Sequence, residues 1–551
     1  MQSFLQYRRL RPFVPSTPSF NSSSEKNSGS QEANSPQFEE DVGSHEVKVP
    51  QYEENACIPV DWDGPSDPSC PRNWSLRYKI WVCALVSINV FALDWCSAAD
   101  SQASKQMAQE FGVSRRVENV GSALFVFGIA GGALFAGPIT ETLGRNPVYI
   151  GGRVLHFFFI LGTALAHHIG MQLVCRLLAG LGASAVLAIH GASIADVFGQ
   201  EGRSLAWPFV ALWSFLGTTL SPVAGAWIVQ STKLSWRWAD WIAVIMSGTT
   251  LILTMACLPE TFTPVILKWK AIKLRRATGD NKYMASIETQ KSFKELLKAN
   301  LYRAVIMTTR EKLEKEAKFS QYIVIFLGLW LVVVYIVVFG FLSGMDFLFA
   351  KTHSFSSGMV GTSFVAIAFG VIVNTGLSTF YARQYKIRSE RWVREKGASA
   401  QLPPEYRMIP SFPVAFGLPV SLFWLGWTNY PNISPWSGLG AIALFGFSWA
   451  GIYVCVFHYI FDTYSIYAGS ALASITFVRY MFAGSIQIVS IDMWDALGTQ
   501  WTCTLLGCIA SLLVPIPFIL WVWGERIRKI SKFAGQNALE KSQEPANTTT
   551  V

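Results

Sequence analysis

Ionisable side chains inside long apolar stretches are where this chain could do chemistry. Asp94 lies well into the first such stretch, Arg176 about a turn and a half into the fourth, and His190 further along the same one. Holding a charge in hydrocarbon is costly, so groups of this kind usually face a cavity or a partner. A buried carboxylate near a cation can load and release a proton as its surroundings alternate between wet and dry. Asp94, Arg176 and His190 are therefore the candidates for proton coupling; a static ion pair or a polar contact between helices is the competing reading. Asp196, Asp240, Asp346 and Asp462 fall at the ends of stretches, Arg479 falls in the middle of one, and Arg153 is close enough to an end to snorkel.

Aromatic spacing adds a second kind of chemistry. Tyr335 and Phe339 are four residues apart, as are Trp449 and Tyr453, so each pair shares one helix face. Such faces suit a flat or cationic organic substrate through stacking or cation–π contact, and with Arg479 and Gln487 they make a candidate substrate cavity. Ordinary helix packing is the alternative. Gly217, Pro222 and Gly225 in LWSFLGTTLSPVAGAW allow close helix contact and a loosened turn, hence either a bend on which a gate moves or a tight packing seam. Residues 137–147, GPITETLGRNP, form a short polar turn between two apolar stretches, with Glu141 and Arg145 flanking Gly144. Gly144 can take a positive φ and bring two helix ends together, and Pro147 suits the first turn of the next helix.

Catalytic signatures are missing from this inventory. The chain has no GxxxxGK[ST], no HExxH, no GxSxG in a strand-to-helix setting, and no paired Cys or His at metal-ligand spacing. His167 and His168 are adjacent and point to different faces of any helix, so they are poor joint ligands. Nine scattered cysteines give no disulfide framework. The expectation is a protein that is not an enzyme and uses no cofactor or metal, with work drawn from a gradient.

The elements that must position these residues are membrane helices. Of 551 residues, 51% are hydrophobic and 15% charged, against roughly 25% charged in a soluble domain; the mean hydropathy is +0.32. Apolar runs long enough for the bilayer, about 20 residues each, fall at 79–99, 117–138, 147–167, 172–198, 205–230 and 238–258. A second set follows at 321–349, 357–381, 409–429, 435–461, 466–490 and 500–523. The expected architecture is an all-α polytopic membrane protein of twelve transmembrane helices in two six-helix halves, 79–258 and 319–523.

Three polar regions frame them. Residues 1–78 read as a tail without regular structure followed by an aromatic membrane-entry segment, 259–318 as a basic central loop, and 524–551 as a C-terminal tail. Residues 291–318 carry the spacing of an amphipathic helix for the membrane surface. Basic residues concentrate in the central loop, in 383–396 and in the C-terminal tail, which puts those segments and both termini in the cytosol. The net charge of +9 is explained by that asymmetry, so no nucleic-acid partner is expected.

Taken together, these pieces resemble the major facilitator superfamily, and more narrowly its fungal twelve-spanner drug/proton antiporter branch. GPITETLGRNPVY is similar to that branch's loop signature GPLSExxGRRPVY. WDGPSDPSCPRNWS, LVCRLLAGLGASAVLAIHGASIAD, WRWADW, LPETFTPVILKWKA, PEYRM, DTYSIYAGSALA, LGTQW and PIPF follow in family order. The resemblance implies the major facilitator fold, a substrate site between the halves, rocker-switch alternation and export of small organic molecules in exchange for protons. It implies a cytosolic gate of Gly137, Glu141, Gly144, Arg145 and Asp196: Glu141 facing the start of span eleven, and Arg145 pairing with Asp196. It makes Arg176 the span-four arginine of proton coupling, and 217–225 the antiporter motif.

Departures sit at sites that could tune the substrate or mark a divergent member. Thr218, Ser221 and Ala226 replace the branch's Pro, Gly and Gly; Ile475 replaces Asn; Gln487 stands where proline is common and His190 where glycine is usual. The expected protein is a monomeric, proton-coupled exporter of a small organic compound, embedded in the lipid bilayer of the plasma membrane, with the vacuolar membrane as alternative. Proton-driven uptake of a nutrient or polyamine, and a non-transporting sensor on the same fold, are the rival functions.

Overall fold

In hydrocarbon every backbone N–H and C=O must be satisfied within its own segment, so apolar runs of this length become helices. The computed structural model describes residues 2–10, 58–288, 322–397, 400, 402–464 and 468–530. A short helix, α1, covers Gln2–Arg9, and a strand, β1, covers Ile58–Pro59. The first half holds α2 Leu76–Ala98, α3 Ser104–Glu110, α4 Arg115–Leu143, α5 Arg145–Ala164, α6 Ile169–Val197, α7 Gln200–Gln230 and α8 Arg237–Cys257. Then come α9 Thr263–Thr278 and β2 Tyr283–Met284. The second half holds α10 Tyr322–Met345 with a π-helical turn at Asp346–Lys351, α11 Ser357–Lys396, α12 Ser411–Thr428, α13 Pro435–Tyr464, α14 Ala468–Leu513 and α15 Pro515–Ile530.

Eleven helices among the described residues are long and apolar enough to cross a membrane. The last of these crosses the bundle twice. Ala468 lines a cavity at one end, Asp495 pairs with Lys351 at the other, and Arg528 returns to pair with Glu405. The reversal is at Gly498, whose φ of 71° no ordinary helix residue adopts.

Each half closes on glycines. A methyl on Gly180 would overlap the Phe125 carbonyl, so α4 and α6 approach backbone to backbone; Gly446 against the Ile367 carbonyl does the same for α13 and α11. Between halves, α7 packs on α11 and α4 on α14.

The two ends of the bundle differ. Lys268, Lys270, Arg275 and Arg276 on α9, the final turns of α11 and Arg528 on α15 lie at one end, here called the basic end. The far end is laced across the halves: Arg115 pairs with Asp346 at 2.8 Å and Arg116 with Asp492 at 2.6 Å. Beside it, α3 is tied to α8 by Glu110, which accepts from Arg237 at 2.7 Å and from Trp236 at 2.5 Å. Burial alone would raise the Glu110 carboxyl, but those two donors outweigh it and hold the group below its ordinary range.

Several expectations change. Residues 2–9, placed in a tail without regular structure, are helical, because Gln6 exchanges hydrogen bonds of 3.1 and 3.0 Å with the Glu260 backbone. Lys273 Nζ also caps the carbonyls of Arg8 and Leu10 at 3.1 and 2.7 Å. The central loop contributes a structured part: α9 packs under the entry segment, Lys270 pairs with Asp63 at 2.7 Å, and β1 pairs with β2 in parallel. The basic residues of 383–396 continue the helix α11 and are not a loop. The amphipathic reading of 291–318 and the tail beyond 530 lie outside the described residues.

Candidate functional site

The polar turn at 137–147 is a built hinge. α4 ends and α5 begins at Gly144, whose φ is 93°. Five backbone N–H groups around it need acceptors, and Glu260 supplies four: its carboxylate accepts from the N–H of Arg145 (2.9 Å), Asn146 (3.1 Å), Thr261 (3.0 Å) and Phe262 (2.9 Å), while the N–H of Gly144 reaches the Thr140 carbonyl at 3.0 Å. A carboxylate on the first N–H groups of α5 also complements that helix's positive end. Burial is the larger influence on Glu260 and pushes its carboxyl up despite those donors. Arg145 is then aimed sideways: Nε meets Asp196 Oδ2 at 3.1 Å, Nη1 donates to Thr140 Oγ1 at 2.8 Å, and the guanidinium lies 4.6 Å over the Phe262 ring.

Beside this hinge, at the basic end and between the halves, is a cavity of about 490 Å³. Gly137, Glu141, Arg145, His190 and Asp196 from the first half line it, and so do Phe457, Phe461, Leu472 and Thr476 from the second. Glu141 thus shares the cavity with the start of α14. One flank is bridged: Asp462 on α13 accepts from Arg203 on α7 at 2.6 Å and from Arg407 at 2.7 Å. The mouth carries the exposed residues Arg72, Gly199, Gln200 and Gly469.

Above the cavity the interior is filled by buried aromatic side chains. Arg479 sits among four aromatic rings, 4.7 Å from Tyr335, 4.9 Å from Tyr480, 5.3 Å from Tyr453 and 5.6 Å from Phe457. Its charge reaches Asp94 of α2, which accepts a hydrogen bond from Ser214 of α7. Trp207 stacks on His190 at 5.2 Å and on Phe457 at 4.9 Å. His190 Nδ1 faces the Leu187 carbonyl at 3.0 Å and so is the donor, which leaves Nε2 as the nitrogen able to take a proton.

The structure therefore regroups the expected residues. Arg176 does not meet Asp94 or His190. It is buried between Asp100 and Asp240, the latter at 3.0 Å, and donates to the Cys96 carbonyl at 3.1 Å. The cause is depth: Asp94 lies over a turn inside α2, whereas Asp100 follows that helix at the level of the early turns of α6. Tyr335, Phe339, Trp449, Tyr453, Arg479 and Gln487, expected to line a substrate cavity, are all buried and none lines the cavity at the basic end; the first five pack on one another. With the far end closed, the central faces of the two halves touch. Gly217 packs on the Phe91 carbonyl of α2, and Gly361 of α11 packs against Ala226 and the Pro222 carbonyl of an unbroken α7. The 217–225 segment is thus a double packing seam in this state.

Residues 85–487 match the profile of the Major Facilitator Superfamily. This chain belongs to the major facilitator superfamily. It is 41% identical over 474 residues to the MFS-type transporter kojT of Aspergillus flavus, covering 86% of this chain and 82% of that one. It is 31% identical over 482 residues to the major facilitator superfamily multidrug transporter FLU1 of Candida albicans, covering 86% and 76%. Its fold is similar to that of the solved proton:xylose symporter XylE, with a TM-score of 0.59 at 15% identity, covering 85% of this chain and all of that one.

Within this superfamily transporter, sequence reasoning passed over four polar groups. Glu260 lay in the LPETFT match without a role; only the folded loop shows it as the acceptor for the α5 start. Asp100 and the Arg407–Asp462–Arg203 bridge join residues far apart in the chain. Glu118 is 0% exposed and neither carboxylate oxygen has a hydrogen-bond partner among the described residues. Its signal was present, an acid in the first turn of an apolar run, at the edge of the expected span.

Proposed function

We propose that this superfamily member is a proton-coupled exporter of a small organic compound, a xenobiotic or a secondary metabolite, working by alternating access in the plasma membrane. The two halves rock about a central site. The observation that carries this reading is the cavity between the halves at the basic end, with the far end locked by cross-half ion pairs. Basic residues favour the cytosolic side, so this state is loaded from the cytosol. The cavity's volume falls in the range of drug-sized ligands, and its lining mixes the rings of Phe457 and Phe461 with His190, Arg203 and Thr476. Similarity to a transporter named for multidrug transport supports a small organic substrate.

Proton coupling draws on buried titratable groups placed between the halves. Asp94 from the first half and Arg479 from the second are within electrostatic reach, and His190 connects them to the cavity through Trp207 and Phe457. Loss of that reach on opening would free Asp94 to take a proton.

The test is efflux of a panel of fluorescent organic compounds from cells expressing the protein, with and without a protonophore. Export that collapses with the gradient, and that is lost in Asp94→Asn, is expected. Efflux indifferent to the gradient would overturn the coupling, and net accumulation would overturn the direction.

A further inference from the structure

Glu118 has no part in the cavity or the hinge, yet it is a fully buried carboxyl at the far end. It lies in the first turn of α4 at 0% exposure, with neither oxygen hydrogen-bonded among the described residues. The charges that reach it are those of Arg115, three residues back on the same helix, and Asp240 on α8. Residues three apart on a helix are neighbours. Arg115, however, is engaged elsewhere: it donates to Asp346 of the other half at 2.8 Å and to Ser104 at 3.2 Å.

Of the other charged groups on elements packed against α4, Lys105 of α3 is exposed, Arg479 of α14 lies among aromatic rings, and the following have partners of their own. Arg176 is held by Asp100 and Asp240, Asp94 by Ser214, Asp492 by Arg116, and Glu110 by Arg237. On α5, His156 faces the Ala179 carbonyl. Gln172 on α6 is 1% exposed, with both amide atoms unpartnered. Among the described residues, Arg115 is thus the cation whose charge reaches Glu118, and it is engaged with Asp346 while the far end is closed. An ionised carboxylate without donors or a counter-ion is not tolerated in an apolar interior.

We infer that Glu118 is a proton-operated latch on the far-end gate: protonated, it leaves Arg115 to bridge to Asp346 and close the halves together, and ionised, it reclaims Arg115 and releases Asp346. The ionised form is favoured once water enters, because the positive end of α4 and the freed guanidinium both stabilise it. The atoms balance simply: the Glu118 carboxyl gives its proton to water on the far side when that side opens, and regains one from there before closing. Acid on the far side thus holds that side closed and favours the state open at the basic end; because the proton is taken from and returned to one side, the latch biases the cycle and carries no proton across itself.

This inference deepens the proton-coupled reading and rests on it, but its test needs no substrate. Full-length protein in lipid nanodiscs is followed by hydrogen–deuterium exchange, corrected for intrinsic rates, at acidic and alkaline pH. Peptides covering 115–125 and 346–352 in the native protein are expected to exchange faster at alkaline pH. Glu118→Gln, which mimics the protonated group, should lose that pH response and stay slow at both values. Asp346→Asn and Arg115→Gln, which remove the bridge itself, should exchange fast at both and keep the test decisive if Glu118→Gln fails to fold. A pH response that survives in Glu118→Gln, or none in the native protein, overturns the latch. If the latch responds while efflux ignores the proton gradient, the coupling reading falls and the latch stands.

Discussion

At Gly144 a single backbone angle decides whether the hinge can exist. With φ at 93°, a side chain is strained there, and a Cβ would lie 2.6 Å from Glu260 Oε2, the acceptor for the start of α5. Gly144→Ala should therefore cost about 1–3 kcal/mol from backbone strain alone, with further loss from displacing Glu260. Thermal unfolding of the purified protein in detergent measures it, and an unchanged midpoint would show that the hinge tolerates a side chain. Arg145 and Asp196 were paired in advance by the resemblance of the turn to a known signature, and their contact at 3.1 Å is found in the structure. Glu260 could not be read the same way, because nothing in LPETFT says that its carboxylate will meet N–H groups more than a hundred residues earlier.

Among the elements, α1 has the most unexpected placement. A polar helix of eight residues is too short to hold itself together in water, so its contacts must carry it. Gln6 spans the Glu260 backbone, Lys273 caps its carbonyls, and Tyr7 stands edge-on to Trp269 at 5.9 Å. It thereby braces the loop that carries Glu260 and, through it, the hinge. Gln6→Ala removes two hydrogen bonds worth about 1 kcal/mol each. Amide exchange in 258–265 should rise in that variant, with residues 115–125 unaffected; equal exchange in both proteins would make α1 a passive attachment. Periodicity could not show α1, since its helix depends on partners on α9 and beside α8.

At the scale of the whole molecule, the halves meet at the far end and enclose a cavity at the basic end, lined by α4 and α6 on one side and α13 and α14 on the other, with one flank bridged by Arg203 and Asp462. Ala188 lines the cavity on α6 and is half-buried there. In Ala188→Cys, a membrane-impermeant maleimide should label that position from the basic face and not from the far face. The comparison of inside-out with right-side-out vesicles, against the parent protein to discount the exposed Cys508, measures it. Labelling from the far face alone would reverse the assignment of the open side.

The helical membrane class, the long apolar segments, their basic polar ends and the signature turn were legible from residue order, because hydropathy, charge asymmetry and local spacing act within one segment. Boundaries drifted where charge did not end a helix, as in α11, which runs on to Lys396 through its basic residues. Pairing was another matter. Only the folded chain decided that Arg176 belongs to Asp100 and Asp240, that Asp94 answers to Ser214 and Arg479, and that the expected cavity aromatics close on one another. A helix fixes which residues share a face, but the depth at which two helices align and the state in which two halves meet are set by packing between segments. That is why Glu118, an ordinary acid in sequence, is in the folded chain a buried group with no hydrogen-bond partner among the described residues, while Arg115 reaches across to Asp346.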